Sequence, residues 1–415
     1  MHFALSVRIV ICSVLLLFFK QAFSQKNDNN IQYESFKGIV SKAELNDEIK
    51  EKMQQVQQFL SNEKLEGILL SKNNNFSWIA AGIGDNHILI TSAIGDASVL
   101  IMKGGKKYLL ANNTEVAHLM EEDLKGLGYE AKGYDWFDGP NTSDKKMAII
   151  KKLSGGKTIG SDIEYGDLKV IEGDFAPLRY QLTPAEIKKY KWVGQQATEA
   201  VTATAKLVKP GMTEREMETI LSNELMNRGL RPTVLLIGSD ERLLDYYHYP
   251  PTDKKLQKYV FLNLCARKWG LVASVGRYVY FGDVPADLKK SMKASATISA
   301  NMQAATKQGA KASEIFEQTK QWYARQGYAD YWKYIHVGGG ISYNERDWLA
   351  SPDSKEVVHN NQAFAWNPFT QRALSFDTFI LTKDGIVNIT KADGWPVIPI
   401  TVNGKVYNMP DILTR

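Results

Sequence analysis

Two histidines stand where proton transfer could be done. His248 lies three residues ahead of Pro251, and His336 comes just before Val337 and the run Gly338-Gly339-Gly340. Imidazole titrates near neutral pH, so either ring suits acid-base work. Tyr247, Tyr343 and Arg346 are neighbours of the two in sequence. They are suited to orienting a small polar or carboxylate-bearing ligand, the guanidinium by paired hydrogen bonds. A lone histidine is more often a hydrogen-bonded core residue, and three glycines can be no more than a turn. The glycines do not fit a dinucleotide fingerprint, whose spacing and strand-turn-helix context are missing. Between the histidines runs a predicted strand pair, Tyr259 to Leu264 and Val272 to Phe281, joined by a charged link carrying Gly270. Neither run carries a carboxylate. Asn367-Pro368 and Phe376-Asp377-Thr378 complete the segments that draw notice.

The elements that must position these residues fall into two regimes. In the first, Ile49, Met53, Val56 and Leu60 recur at helical spacing, Glu66 to Leu70 reads as a buried strand, and Lys103-Gly104-Gly105-Lys106 separates two apolar runs as a hairpin turn. Helices are expected around Thr114 to Leu127 and Ser143 to Leu153, and a strand at Lys157 to Ile163, which together make an α/β unit. The second regime opens at Thr183-Pro184-Ala185-Glu186, a capping box with proline at the first helical position. Thr213 and Glu216 make another box, for a helix stopped by Gly229. A strand at Thr233 to Ile237, the strand pair, a long helix after Pro285 and a helix from Ser313 to Arg325 follow, before a strand- and loop-rich remainder. The expected boundaries are 1–24, 25–42, 43–182 and 183–415: leader, polar lead, first unit, second unit.

Composition bounds the possibilities. A chain of 415 residues with 44% hydrophobic and 23% charged residues is that of an ordinary globular protein of two units. Arg8, the apolar run Ile9 to Phe19 and Ala22-Phe23-Ser24 read as a cleaved secretory signal peptide, so the protein is expected to be exported, periplasmic or extracellular. Cleavage removes Arg8 and Lys20, taking the formal charge from +5 to 5 − 2 = +3, which gives no reason to expect nucleic acid as a partner, nor a membrane once the leader is gone. Cys265 then remains alone, and its apolar setting reads as a buried structural thiol. Trp332, Trp348, Trp366 and Trp395 crowd the second unit and read mainly as core.

Taken in order and spacing, His248-Tyr249-Pro250-Pro251, the strand pair, His336 before the glycines, Asn367-Pro368 and Asp377-Thr378 resemble the creatinase and aminopeptidase P family, which includes prolidases and Xaa-Pro aminopeptidases. The resemblance also covers the first unit and the helix at Thr183, hence most of the chain past its leader. It implies an α+β fold: a creatinase-like N-terminal α/β domain followed by a pita-bread C-terminal domain, commonly in a homodimer. Trp78 falls where such a first domain can reach a neighbouring active site. Peptidases of this family bind two divalent metals, usually manganese, zinc or cobalt, through two aspartates, one histidine and two glutamates.

Carried over one position at a time, the resemblance puts Asn263 and, 274 − 263 = 11 residues on, Ser274 where the aspartates would stand. Asn367 and Phe376 fall at the two glutamates, and His336 matches the ligand histidine. His248 matches a histidine that contacts substrate, and Arg277 the arginine after the second aspartate. Four of the five ligand positions thus lack a carboxylate. A pair of dications needs several anionic oxygens, so no metal cofactor is expected unless the protein is a conventional dinuclear Mn, Zn or Co peptidase. Asp377 should face away from Phe376 by strand alternation. Creatinase, a metal-free member that moves protons with a histidine, shows that the same cavity can host other chemistry. The expectation is an exported hydrolase acting without metal on a carbon-nitrogen bond of a small molecule or short peptide, with His248 and His336 as catalytic residues and Arg277, Tyr343, Arg346 and Tyr247 contacting substrate. A metal-dependent Xaa-Pro aminopeptidase and an inactive ligand-binding protein remain open alternatives.

Overall fold

The computed structural model describes residue 36, residues 38–139 and residues 143–415. The expected signal peptide and the lead as far as residue 35 lie outside them. The first unit begins with α1 (Lys42–Asn62), whose start is fixed by a capping box between Ser41 and Glu44. Next come β1 (Gly67–Lys72), α2 (Asn73–Ile79), β2 (Ile94–Met102), β3 (Lys107–Asn112), β4 (Glu130–Tyr134), α3 (Lys145–Ser154), β5 (Ile159–Ser161) and β6 (Lys169–Val170). They build one six-stranded sheet in the order β4-β3-β2-β1-β5-β6. The β2–β3 turn is the expected Gly-Gly hairpin, with Gly104 and Gly105 both at positive φ. The helix expected at 114–127 is reduced to Val116–His118 and a wide turn over Leu119–Asp123. Gly126 and Gly128, at φ +76° and +73°, end it early.

The second unit opens with α4 (Pro184–Leu207) and α5 (Glu214–Asn227), both starting at the capping boxes seen in the sequence. Strand β7 (Arg231–Ser239), β8 (Tyr259–Lys268) and β9 (Leu271–Tyr280) form an antiparallel meander. Trp269 and Gly270, at φ +54° and +78°, make the two-residue turn between β8 and β9. A Cβ at position 270 would lie 2.7 Å from Ser77 and from the Tyr343 ring, so this turn is also where the first unit closes on the second. Helices α6 (Ala286–Ala305) and α7 (Ala312–Arg325) precede the short strands β10 (Gly338–Gly340), β11 (Trp348–Leu349), β12 (Gln362–Trp366), β13 (Phe369–Thr370), β14 (Ala373–Leu374), β15 (Phe379–Thr382) and β16 (Gly385–Asn388). A last hairpin, β17 (Val397–Val402) and β18 (Lys405–Pro410), leads to β19 (Leu413–Thr414). Among the described residues these strands form two larger sheets, β19-β9-β8-β7 and β11-β10-β12-β15-β16, and two two-stranded ones, β13-β14 and β17-β18. With α4 lying on β9 and α6 on the strands behind, this is an α+β architecture.

The glycines at 338–340 form a strand and not a loop. A Cβ at Gly339 would lie 2.0 Å from the Trp348 carbonyl and one at Gly338 2.2 Å from that of Ala365, so only glycine lets β10 sit between its neighbours. Most of these tryptophans are core, as expected, Trp332 being only partly buried: Trp348 and Trp366 pack with Phe364, and Trp366 donates to Thr306 Oγ1 at 2.9 Å. Trp78 is also buried, edge-on to Phe175, within its own chain.

Candidate active site

Strand pairing sets which side chains share a face. Asn263 stands opposite Gly276 and Cys265 opposite Ser274, so Asn263, Cys265 and Ser274 lie on one face of the β8–β9 hairpin. Cys265 Sγ and Ser274 Oγ are 2.9 Å apart, and burial pushes the thiol up to about 11, as suits a structural cysteine. Onto this face come the segments after β10 and β12. Arg346 donates from Nη2 to Asn367 Oδ1 at 3.1 Å and from Nη1 to the Glu345 carbonyl, and its guanidinium lies 5.6 Å from the centre of the Phe376 ring. Asn367 in turn donates to the His336 carbonyl at 2.7 Å. A single cluster therefore holds His336, Arg346, Asn367 and Phe376, with Cys265 and Ser274 beside it.

The cluster carries one fixed positive charge. Among the described residues no carboxylate forms an ion pair with Arg346, its Nε is shut off from solvent without a hydrogen-bond partner, and Asn263 Oδ1 is likewise buried and unpaired. Burial first, then the Arg346 charge and that of His248, lower the His336 pKa to about 4, so its ring is neutral at pH 7. His248 itself is exposed on the loop before β8. Tyr247 next to it stacks on Tyr334 with ring centres 5.5 Å apart and meets Phe369 edge-on at 5.3 Å, forming an aromatic shelf beside the cluster.

Two of the expected substrate contacts are placed elsewhere. Arg277 is opposite Leu262 and so lies on the reverse face of β9 from Ser274. There it is buried, donating to Asp377 Oδ1 at 2.9 Å and to the Thr390 carbonyl at 2.6 Å. Asp377 thus faces away from Phe376. The Tyr343 hydroxyl is also buried, donating to Glu186 Oε1 at 2.7 Å and accepting from Lys52 at 3.2 Å.

Tyr343 belongs to a group that sequence reasoning missed. Lys52 Nζ lies 2.7 Å from Glu48 and 2.8 Å from Glu186, and Lys189 Nζ 2.8 Å from Glu48, all with side chains at most 1% exposed. The balanced cluster ties α1 to α4 and, through Tyr343, anchors the loop that carries Arg346. Its signal was present: Glu48 and Lys52 fall on the same stripe of α1 as Leu45, Val56 and Phe59. On that loop Asp347 is pushed up to about 6 by burial.

The groups at the four substituted positions are two carboxamides, a hydroxyl and a phenyl ring that offers no ligand atom, with the Arg346 guanidinium against Asn367 and Phe376. They do not fit a pair of divalent metals, which need anionic oxygens and are repelled by a fixed cation.

Comparison with known proteins gives a family. The family model described as metallopeptidase family M24 matches residues 188–400, more than half of the chain. A Xaa-Pro dipeptidase of Pyrococcus horikoshii is 21% identical over 376 residues, covering 84% of this chain and 99% of the relative. Among solved structures, a prolidase from Pyrococcus horikoshii OT3 matches with TM-score 0.69 and 18% identity, covering 83% of this chain and 99% of that one. A Xaa-Pro dipeptidase from Bacillus anthracis matches with TM-score 0.69 and 18% identity over 88% of this chain and all of that one. These likenesses identify the fold as an N-terminal domain with a pita-bread C-terminal domain.

Proposed function

Since this chain belongs to metallopeptidase family M24, we propose that it is a hydrolase of that family that has replaced metal chemistry with a fixed cation, cleaving a carbon-nitrogen bond in a small molecule or short peptide. The observation that carries this reading is the Arg346 guanidinium lying against Asn367 and Phe376, among positions where the resemblance expects metal-binding carboxylates. A guanidinium binds carboxylate and polarises carbonyl oxygen by directed hydrogen bonds. His248, open to solvent, carries a proton from the attacking water to the leaving nitrogen. His336, neutral at pH 7, orients the ligand by hydrogen bonding, and Tyr247 offers its ring face. From the leader expected at residues 1–24 we infer that the protein is exported, and from the family resemblance that it is a homodimer.

The test is hydrolysis of a panel of X-Pro dipeptides and N-acyl amino acids by chelator-treated protein. The expected result is turnover that added Mn leaves unchanged and that falls at least about a hundredfold in His248→Ala. Turnover that requires added metal would establish a conventional Xaa-Pro peptidase instead. Ligand stabilisation without any turnover would establish a binding protein.

A further inference from the structure

We propose that Glu214 is a positioning residue for the reaction at this site: its buried carboxylate ties together both ends of the loop that presents Tyr247 and His248, and so sets where those two side chains stand. The inference rests on the hydrolase reading of the site, in which His248 moves the proton. Glu214 is the first residue of α5, and its side chain is wholly buried. A carboxylate taken out of water must have its oxygens satisfied by donors, and this one does. Oε1 accepts from the Ser239 N–H and from Ser239 Oγ, both at 2.9 Å. Oε2 accepts from the Thr252 N–H at 3.0 Å, from Thr252 Oγ1 at 2.8 Å and from the Arg242 guanidinium. Ser239 ends β7 just before the loop and Thr252 follows it, so one oxygen holds the start of the loop and the other its end. Arg242 extends the tie into the loop. Its Nη2 donates to the Pro250 carbonyl at 3.0 Å, and its guanidinium lies 5.7 Å from the centre of the Tyr246 ring.

Between these ends the loop has few other anchors. Of residues 241–250 only Leu243 and Tyr249 are buried, whereas Tyr246, Tyr247, His248 and Pro250 are exposed. The Ile237 N–H donates to the Tyr249 carbonyl at 3.0 Å, which joins the loop to β7 next to the tie. The far side of the loop meets the active site, where Tyr247 stacks on Tyr334 and the charge of His248 is felt at His336. A shift at the base is therefore carried to the residues that face the ligand. Glutamine at position 214 keeps the shape but has one accepting oxygen and one amino group. The amino group would face donors, so one end of the loop loses its anchor.

The experiment compares the full chain with Glu214→Gln, each with and without His248→Ala. Turnover is measured on a substrate from the panel above, and NMR follows the contact between the Tyr247 and Tyr334 rings and the exchange of the Ile237 amide. Glu214→Gln should lose the ring contact and speed Ile237 exchange at least about tenfold. It should lower kcat at least about tenfold when His248 is present, since misplacing a reacting group is costly. On the His248→Ala background it should lower kcat less than about twofold, because residues that act through one another are not additive. If Glu214→Gln does not fold, Thr252→Val, which removes one donor and keeps the shape, is judged by the same readouts, with Thr252→Ser restoring them. An intact ring contact with unchanged Ile237 exchange overturns the inference. So does a fall in kcat by the same factor with and without His248, since Glu214 would then support the fold as a whole. Absence of turnover in every form refutes the hydrolase reading, and the ring contact and amide exchange still decide whether Glu214 sets the loop.

Discussion

Arg346 sets the chemistry of the cluster because its charge is offset by carboxamide and carbonyl oxygens and by no carboxylate ion pair among the described residues. The neighbouring ring reports that charge. Replacing Arg346 by Met should raise the His336 pKa from about 4, but not to the ordinary histidine value, because burial is the larger cause and remains. Titration of the His336 ring protons by NMR checks this, and an unchanged midpoint would place the guanidinium away from the ring. At this scale the sequence was informative about types and, where strand alternation applies, about directions. The loss of carboxylates at 263, 274, 367 and 376 could be read from linear order. That Arg277 would turn away could have been read as well, since it stands an odd number of residues from Ser274 on a strand. For Tyr343, closeness to His336 in sequence misled, because the chain between them is a strand and a turn that carry the hydroxyl to Glu186.

At the scale of elements, α1 and α4 are held by ions where an ordinary contact would use apolar side chains. Burial alone would raise the Glu186 pKa, but Lys52 and Lys189 overcome it and hold the group below its ordinary value. A depressed carboxyl pKa contributes stability above the unfolded value, and that stability is lost as pH falls below about 4. Lys52→Met leaves Glu186 and Glu48 with Lys189 as their remaining buried cation. It should cost about 3–5 kcal/mol, since removing one partner strands a buried charge. Denaturant unfolding at pH 7 tests this, and a loss under about 1 kcal/mol would mean that water reaches the cluster. Helix starts were legible because capping boxes are local chemistry: Thr183 with Glu186 and Thr213 with Glu216 both form as read. The glycine strand β10 was not, since its glycines answer to Trp348 and Ala365, residues that only tertiary packing brings near.

The whole molecule has the fold of a metallopeptidase family and a site whose donors do not suit metals. The resemblance carried the architecture because order and spacing survive substitution, whereas the first unit's closure at Gly270 and the cleft it creates depend on contacts between distant segments. The central claim is that the cation at this site belongs to the protein. Its most direct test is elemental analysis of the purified chain after dialysis against excess Mn, Zn and Co in turn, alongside Arg346→Met carrying Asn263→Asp, Ser274→Asp, Asn367→Glu and Phe376→Glu. The wild-type chain should retain each metal at well below one equivalent, and the rebuilt variant should retain substantially more. Near-stoichiometric metal held by the wild-type chain would contradict the account.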